Sequence, residues 1–407
     1  MTADSSNPPA DGPTDGDATA TLARNLDTTG GSVIHYLFDR LRFLRVGKKF
    51  SRIALYGLAL VIAFVPLFAV TATTGPASVS LFHPAGSIKL PFFHDLNSLF
   101  MYLVSFPCLV ILAATDQETL VEALKSVIAD GTVELSAKRQ IELADDGSRS
   151  FRYYNTAAQL IGVVIGAAVA VFNYKAYVLE PTGLWITFDG QMLPAAYVYL
   201  YCIWIFYTIV TIYVIRSVFI ALLLRDIVKK AELHMLPFHP DRAGGLRPVG
   251  HLGLRNQYGL TMFGLNVVLL LFVNQYLTKN DFLIGLMIAA IVVYLVVGPL
   301  VFVAALLPFR SAMRRNKERL MKTLALRMRR ELDRLHGQLS KDPITKDDEE
   351  LIDRLRKIGA VIDELPVWPF DAVTLRKFVT AYFIPIASAA YPVAKAILGG
   401  MNIKWPF

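Results

Sequence analysis

One short loop gathers most of the residue types that could do chemistry: His234-Met235-Leu236-Pro237-Phe238-His239-Pro240-Asp241-Arg242-Ala243-Gly244-Gly245-Leu246, with Arg247, His251, Gly253 and Arg255 close behind. Three chemistries fit it. Arg242 and Arg247, with His239 and Asp241 beside them and backbone amides freed by Gly244 and Gly245, can hold a phosphate or lipid head group. His239 and Asp241, joined by His234 or His251, can hold a divalent metal. In the third reading Asp241 caps a turn, the glycine pair allows close packing and the histidines bond to backbone. A second set lies inside apolar sequence. Asn266 and Asn274 fall within about 80° of each other on a helix and can share one face, either lining a pore or hydrogen-bonding to a neighbouring helix. Gly298-Pro299 removes a backbone hydrogen bond and offers a hinge. No metal-protease motif, serine elbow or phosphate-loop signature is present, so the chain leans away from an enzyme, and the sequence leaves any cofactor unknown.

The elements that must position these residues are transmembrane. Of 407 residues, 54% are hydrophobic and 18% charged, and the apolar ones cluster in runs of roughly 20, the length of a membrane-crossing helix. The fold class is therefore all-α, a polytopic transmembrane helical bundle. Six spans are expected near 53–73, 98–115, 154–173, 195–223, 258–277 and 282–308. The loops at 74–97, 174–194 and 278–281 carry one lysine each, Lys89, Lys175 and Lys279, while the other loops and the N-terminal segment hold nearly all remaining Lys and Arg. The positive-inside rule then puts the N-terminus in the cytoplasm. The spans carry no well-buried ionisable group, Arg216 being expected to snorkel from the end of the fourth, which disfavours ion-coupled transport. Ala158, Gly162, Gly166 and Ala170 mark a close-packing face on the third.

Around the bundle (53–309) the domain organisation reads as follows. Residues 1–31 form a disordered tail. Residues 32–52 form a basic amphipathic helix, either interfacial or packed on the protein. The outer loops have β character, with strands expected over 79–82 and 88–90 around a Pro-Gly turn and over 177–179 and 185–188 around Pro181-Thr182-Gly183, and suggest a small cap. The first inner loop holds a helix near Glu118–Ala129, then a polar turn at Asp145-Asp146-Gly147. Residues 310–366 form a cytoplasmic helical hairpin, broken at Pro343 and restarted by the cap Thr345. The segment 367–407 is membrane-associated: Phe378–Leu398 is long enough for a seventh span, but its two prolines and alanine-rich composition favour docking on the cytoplasmic face. Cys108 and Cys202 sit in apolar runs and read as buried thiols.

The stretch Leu236–Leu246, preceded by an aromatic span ending in Arg and Lys, resembles a family of uncharacterised bacterial inner-membrane proteins that carry a similar His-Pro-Asp-Arg-Ala-Gly-Gly-Leu loop between transmembrane helices. The resemblance covers spans four and five with their loop. It implies a multipass protein of the cell inner membrane and brings no activity.

Two functions are expected. One is an oligomeric channel or passive transport protein, a homo-oligomer with Asn266 and Asn274 near the path and Gly298-Pro299 as hinge. The other is a membrane-anchored sensor or assembly protein that binds a partner or lipid head group through residues 234–255 and the hairpin. The expected partners are the lipid bilayer, anionic lipid at the inner leaflet and further copies of the chain. Nucleic acid is not among them.

Overall fold

A backbone surrounded by hydrocarbon must satisfy its own polar groups, so apolar runs of bilayer length become helices. In the computed structural model of the chain, which describes residues 21–43, 48–74, 81–179, 183–235, 239–277, 281–338 and 345–399, the fold is an all-α bundle with six candidate membrane spans: Arg52–Thr73, Leu96–Ala114, Ala137–Val178, Pro194–Lys230, Arg247–Gln275 and Leu283–Leu300. In chain order the helices are α1 (Thr21–Asn25), α2 (Val33–Phe43), α3 (Lys48–Ile62), α4 (Phe64–Thr73), α5 (Leu96–Phe100), α6 (Phe106–Ala114), α7 (Asp116–Ala129), α8 (Ala137–Asn173), α9 (Pro194–Lys230), α10 (Arg247–Leu277), α11 (Asp281–Gln338), α12 (Lys346–Asp363) and α13 (Ala372–Gly399). Two π-turns interrupt them, Met101–Ser105 between α5 and α6, and Tyr174–Val178 at the end of α8. We call the end that carries α7, the 231–246 loop and the hairpin the basic end, and the other the cap end.

The third and fourth spans touch most closely. A Cβ on Gly162 would stand 2.9 Å from the Thr208 carbonyl oxygen, and one on Gly166 2.5 Å from that of Trp204, so only glycine admits this approach. At the cap end, β2 (Thr187–Phe188) and β3 (Gln191–Met192) form a hairpin with Thr187 opposite Met192. The expected strand over 177–179 is instead the π-turn that ends α8, and residues 79 and 80 lie outside the described residues. Trp185 fills the cap core against Phe92, ring centroids 4.9 Å apart. At the basic end, β1 (Val133–Glu134) pairs antiparallel with β4 (Glu232–Leu233) and ties the first inner loop to the end of α9.

Three expectations change. Residues 21–31 are held by the protein: Leu22, Leu26 and Thr28 are buried, so the tail's last third is fixed where it meets the bundle. Asp145-Asp146-Gly147 forms no turn. It lies inside α8, which begins at Ala137, and the missing side chain of Gly147 makes room for Leu26 and Leu223. Finally, the C-terminal apolar run does not dock on the basic end. Helix α13 runs beside α10 and α11: Ala381 is level with Thr261, Pro392 with Gln275 and Tyr382 with Leu295. It therefore reaches the same depth as the fifth and sixth spans. Composition missed this because interhelical bonds, and not apolar side chains alone, hold it there.

The hairpin of α11 and α12 forms with the expected cap. Thr345 accepts from Asp348 N–H, and Asp348 reaches back to Thr345 N–H. Pro343 lies outside the described residues. Arg334 bonds Asp348 at 2.7 Å, and Leu335 and Leu355 are buried between the helices. Leu332 and Ile358, from the same apolar stripes, remain 49% and 48% exposed.

Candidate functional site

Residues 239–247 fold around the carboxylate of Asp241. Asp241 accepts from the backbone N–H of Ala243 at 2.9 Å, Gly245 at 3.1 Å and Arg247 at 3.1 Å, and His239 Nδ1 stands 2.7 Å from its Oδ1. Burial alone would raise the Asp241 carboxyl, but these donors outweigh it and hold the group below its ordinary value. Such a loop needs left-handed backbone at Arg242 (φ 54°), Gly244 (φ 66°) and Gly245 (φ 91°). Gly245 is doubly constrained, because a Cβ there would lie 2.0 Å from Thr132 Oγ1. The amides that could cradle an outside anion are thus directed at Asp241.

The other residues named for this loop disperse. His234 pairs with Glu134 at 3.0 Å, Arg247 with Asp371 at 3.5 Å, and His251 is exposed on the first turns of α10. Arg242 is exposed. Among the described residues no group of three or more His, Cys, Asp or Glu converges as metal ligands would.

Asn266 and Asn274 are both buried, and each meets a π-turn. Asn266 Nδ2 donates to Ser105 Oγ at 2.7 Å, and Asn274 Nδ2 to the Tyr177 hydroxyl at 2.7 Å. The π-turns change helical phase, and Ser105 and Tyr177 face α10 there. The pair therefore joins α10 to the second and third spans. Gly298 faces the ring of Tyr382, 3.1 Å from where a Cβ would sit. Pro299 has no N–H, so the Leu295 carbonyl four residues earlier lacks its helical donor. The Tyr382 hydroxyl donates to it at 2.8 Å. The same device recurs at two other prolines. Thr261 donates at 3.0 Å to Ala381 O, four residues before Pro385, and Tyr56 donates to Leu103 O, four residues before Pro107. Neighbouring hydroxyls thus restore what the prolines remove.

The largest polar constellation went unrecognised in the sequence. Arg216 does not snorkel; it is 2% exposed. Its Nε donates to Asp116 Oδ2 at 2.7 Å and its Nη2 to Oδ1 at 2.8 Å, a two-pronged pair. Nη1 donates to Thr28 O at 3.0 Å and also to Asn155 Oδ1. His35 Nε2 stands 2.9 Å from Asp116 Oδ1 and its Nδ1 2.8 Å from Ser32 Oγ. Asn155 Nδ2 donates to Thr28 O and Gly30 O. Burial opposes the ionised Asp116, yet Arg216 and His35 hold its carboxyl well below the ordinary range. The cluster pins residues 26–35 against the second, third and fourth spans. The one sequence signal was a cation and an anion placed at the same end of their spans. Beside it, Arg255 donates to Leu112 O and Thr115 Oγ1 where α6 ends, a cation on a helix C-terminus.

Fold and site together define a multipass helical membrane protein whose buried polar groups tie helices to one another. No known protein family, curated protein or solved structure matches the chain.

Proposed function

We propose that the chain is a subunit of an oligomeric channel or passive transport protein of a bacterial inner membrane, its basic end in the cytoplasm, with the path running along α13 between subunits. The orientation rests on the loop charges, and the bacterial setting on the His-Pro-Asp-Arg-Ala-Gly-Gly-Leu loop. The observation that carries the channel reading is the outward face of α13. Only one side of that helix packs on α10 and α11, and the exposed remainder sets Thr380, Ala387, Ser388 and Tyr391 among the apolar Val379, Phe383 and Ile384. Small and hydroxyl-bearing residues at membrane depth suit water or another subunit better than lipid. Asn266 and Asn274 then belong to the fixed scaffold, and Gly298-Pro299 with Tyr382 forms the joint between α13 and the sixth span. The exposed Leu332 and Ile358 give the hairpin a surface for contact between copies.

Reconstitution into planar bilayers tests this. The expected result is ion current under voltage, reduced when Ser388→Cys is treated with a charged, membrane-impermeant thiol reagent. Silent bilayers at high protein density would overturn the proposal, as would current unaffected at both Ser388→Cys and Ala387→Cys after labelling. The alternative, a membrane-anchored sensor or assembly protein acting through residues 234–255 and the hairpin, draws on exposed Arg242 and the same hairpin surface. It gains if bilayers stay silent while Leu332→Glu disrupts an assembly seen in the parent.

A further inference from the structure

Between α9, α10 and α11 lies an open groove of about 380 Å³. One wall is a single stripe of α9, Val214, Val218, Leu222 and Arg225, at spacings that stack on one helical face. Leu260 of α10 and Leu300 of α11 line the opposite side. The polar groups on its floor are satisfied within the protein: Ser217 Oγ lies 3.2 Å from Asn256 Oδ1, and the Tyr213 hydroxyl donates to Arg255 O at 3.2 Å. What the groove offers an occupant is therefore apolar along its length and cationic at one end. Arg225 is the first charge on α9 after the buried Arg216, and Lys229 continues the same stripe one turn further. Both are exposed, and among the described residues neither has an ion pair or hydrogen bond.

The dimensions select the occupant. From Val214 to Arg225 the helix rises about 16 Å at ~1.5 Å per residue. One leaflet of a ~30 Å hydrocarbon core is about 15 Å thick. An acyl chain lying against the stripe from the middle of the membrane would bring its glycerol phosphate to Arg225. A zwitterionic lipid carries its own ammonium beside the phosphate and so brings the two cations no net negative charge, and a second protein copy would have to bury Arg225.

The geometry points to a binding groove for one anionic glycerophospholipid, its acyl chain along Val214–Leu222 and its phosphate on Arg225 and Lys229. The site is separate from the proposed conduction path, so its test is independent of current.

The protein, delipidated in detergent and then given phosphatidylglycerol or phosphatidylcholine, is examined by native mass spectrometry and thermal unfolding. Phosphatidylglycerol is expected to stay bound and raise the melting temperature, with phosphatidylcholine clearly weaker. Arg225→Gln should cut that preference about fivefold, the factor one interfacial cation contributes, and Arg225→Lys should keep it. Val218→Trp, which fills the groove from an exposed position, should remove retention of both lipids while the protein stays folded. Soluble glycerol phosphate should not compete. Equal retention of the two lipids would overturn the inference. So would an unchanged preference in Arg225→Gln, competition by glycerol phosphate as strong as by lipid, or cysteine crosslinks at Val218 showing that a second copy covers the groove.

Discussion

Two buried aspartates flank the second span, and they are held in opposite ways. Asp116, at the basic end, lies against the Arg216 guanidinium and His35. Asp95, at the cap end, has only neutral donors: Ser98 N–H at 3.2 Å, Ser98 Oγ at 2.6 Å and Trp185 Nε1 at 3.1 Å. Burial pushes both carboxyls up. At Asp95 it wins and the group is raised; at Asp116 the Arg216 guanidinium, with the His35 hydrogen bond, reverses it. The same side chain at similar burial is thus driven toward its ionised form in one place and toward its neutral form in the other. The difference lies in the partner. A buried charge persists where a second charge shares the cost of leaving water.

The largest break should come from Arg216→Leu, which strands Asp116. A loss of about 3–5 kcal/mol is expected on removing one partner of a buried pair. Unfolding in detergent would measure it, together with protease cleavage newly appearing within residues 26–35. Adding Asp116→Leu should restore much of the stability, since no unpaired charge remains. If the single variant unfolds like the parent, the pair is not what fixes the N-terminal segment.

Changing pH separates the two aspartates without mutating Arg216 or His35. Asp116 is depressed, so its contribution is present above the ordinary carboxylate value of about 4 and is lost as pH falls below it toward the folded-state value. Asp95 is raised, so its contribution is fully present below about pH 4 and is lost as pH rises through its folded-state value. Asp95→Asn should therefore flatten the stability profile on the alkaline side of pH 4 and leave the acid-side loss intact. An unchanged profile in that variant would remove the contrast between the two groups.

The smallest effect sharpens a second difference, between charge pairing at the basic end and hydroxyl bonding along α13. Tyr382→Phe deletes one donor to the Leu295 carbonyl freed by Pro299. Interhelical hydrogen bonds in membranes average about 0.6 kcal/mol, so a loss of that order is expected. Held by such bonds, α13 is the more easily displaced of the two assemblies. A loss equal to that of Arg216→Leu would show that the two ends are fastened alike.

Much of this was legible in order along the chain. Hydropathy located six spans, the Gly162/Gly166 spacing marked the face that α9 occupies, and Thr345 announced the start of α12. The Asp241 loop was legible as a cluster, and its self-capping geometry stood among the readings its residues allowed. The pairings across the bundle were hidden. Asp116 and Arg216 are 100 residues apart, and each reads locally as a charge at a span end. Nor does α8 announce its start, because Gly147 reads as a turn until Leu26 and Leu223 are seen against it.

By itself the sequence determined what the solvent imposes: apolar length, helical period and capping residues, all of which act within a few turns of chain. Only the tertiary structure decided which buried polar groups meet. In hydrocarbon an unpaired group is costly wherever it lies, so its partner is chosen by proximity in space. Arg216 thus became a buried anchor, and the proline-interrupted C-terminal run became a helix alongside the fifth and sixth spans.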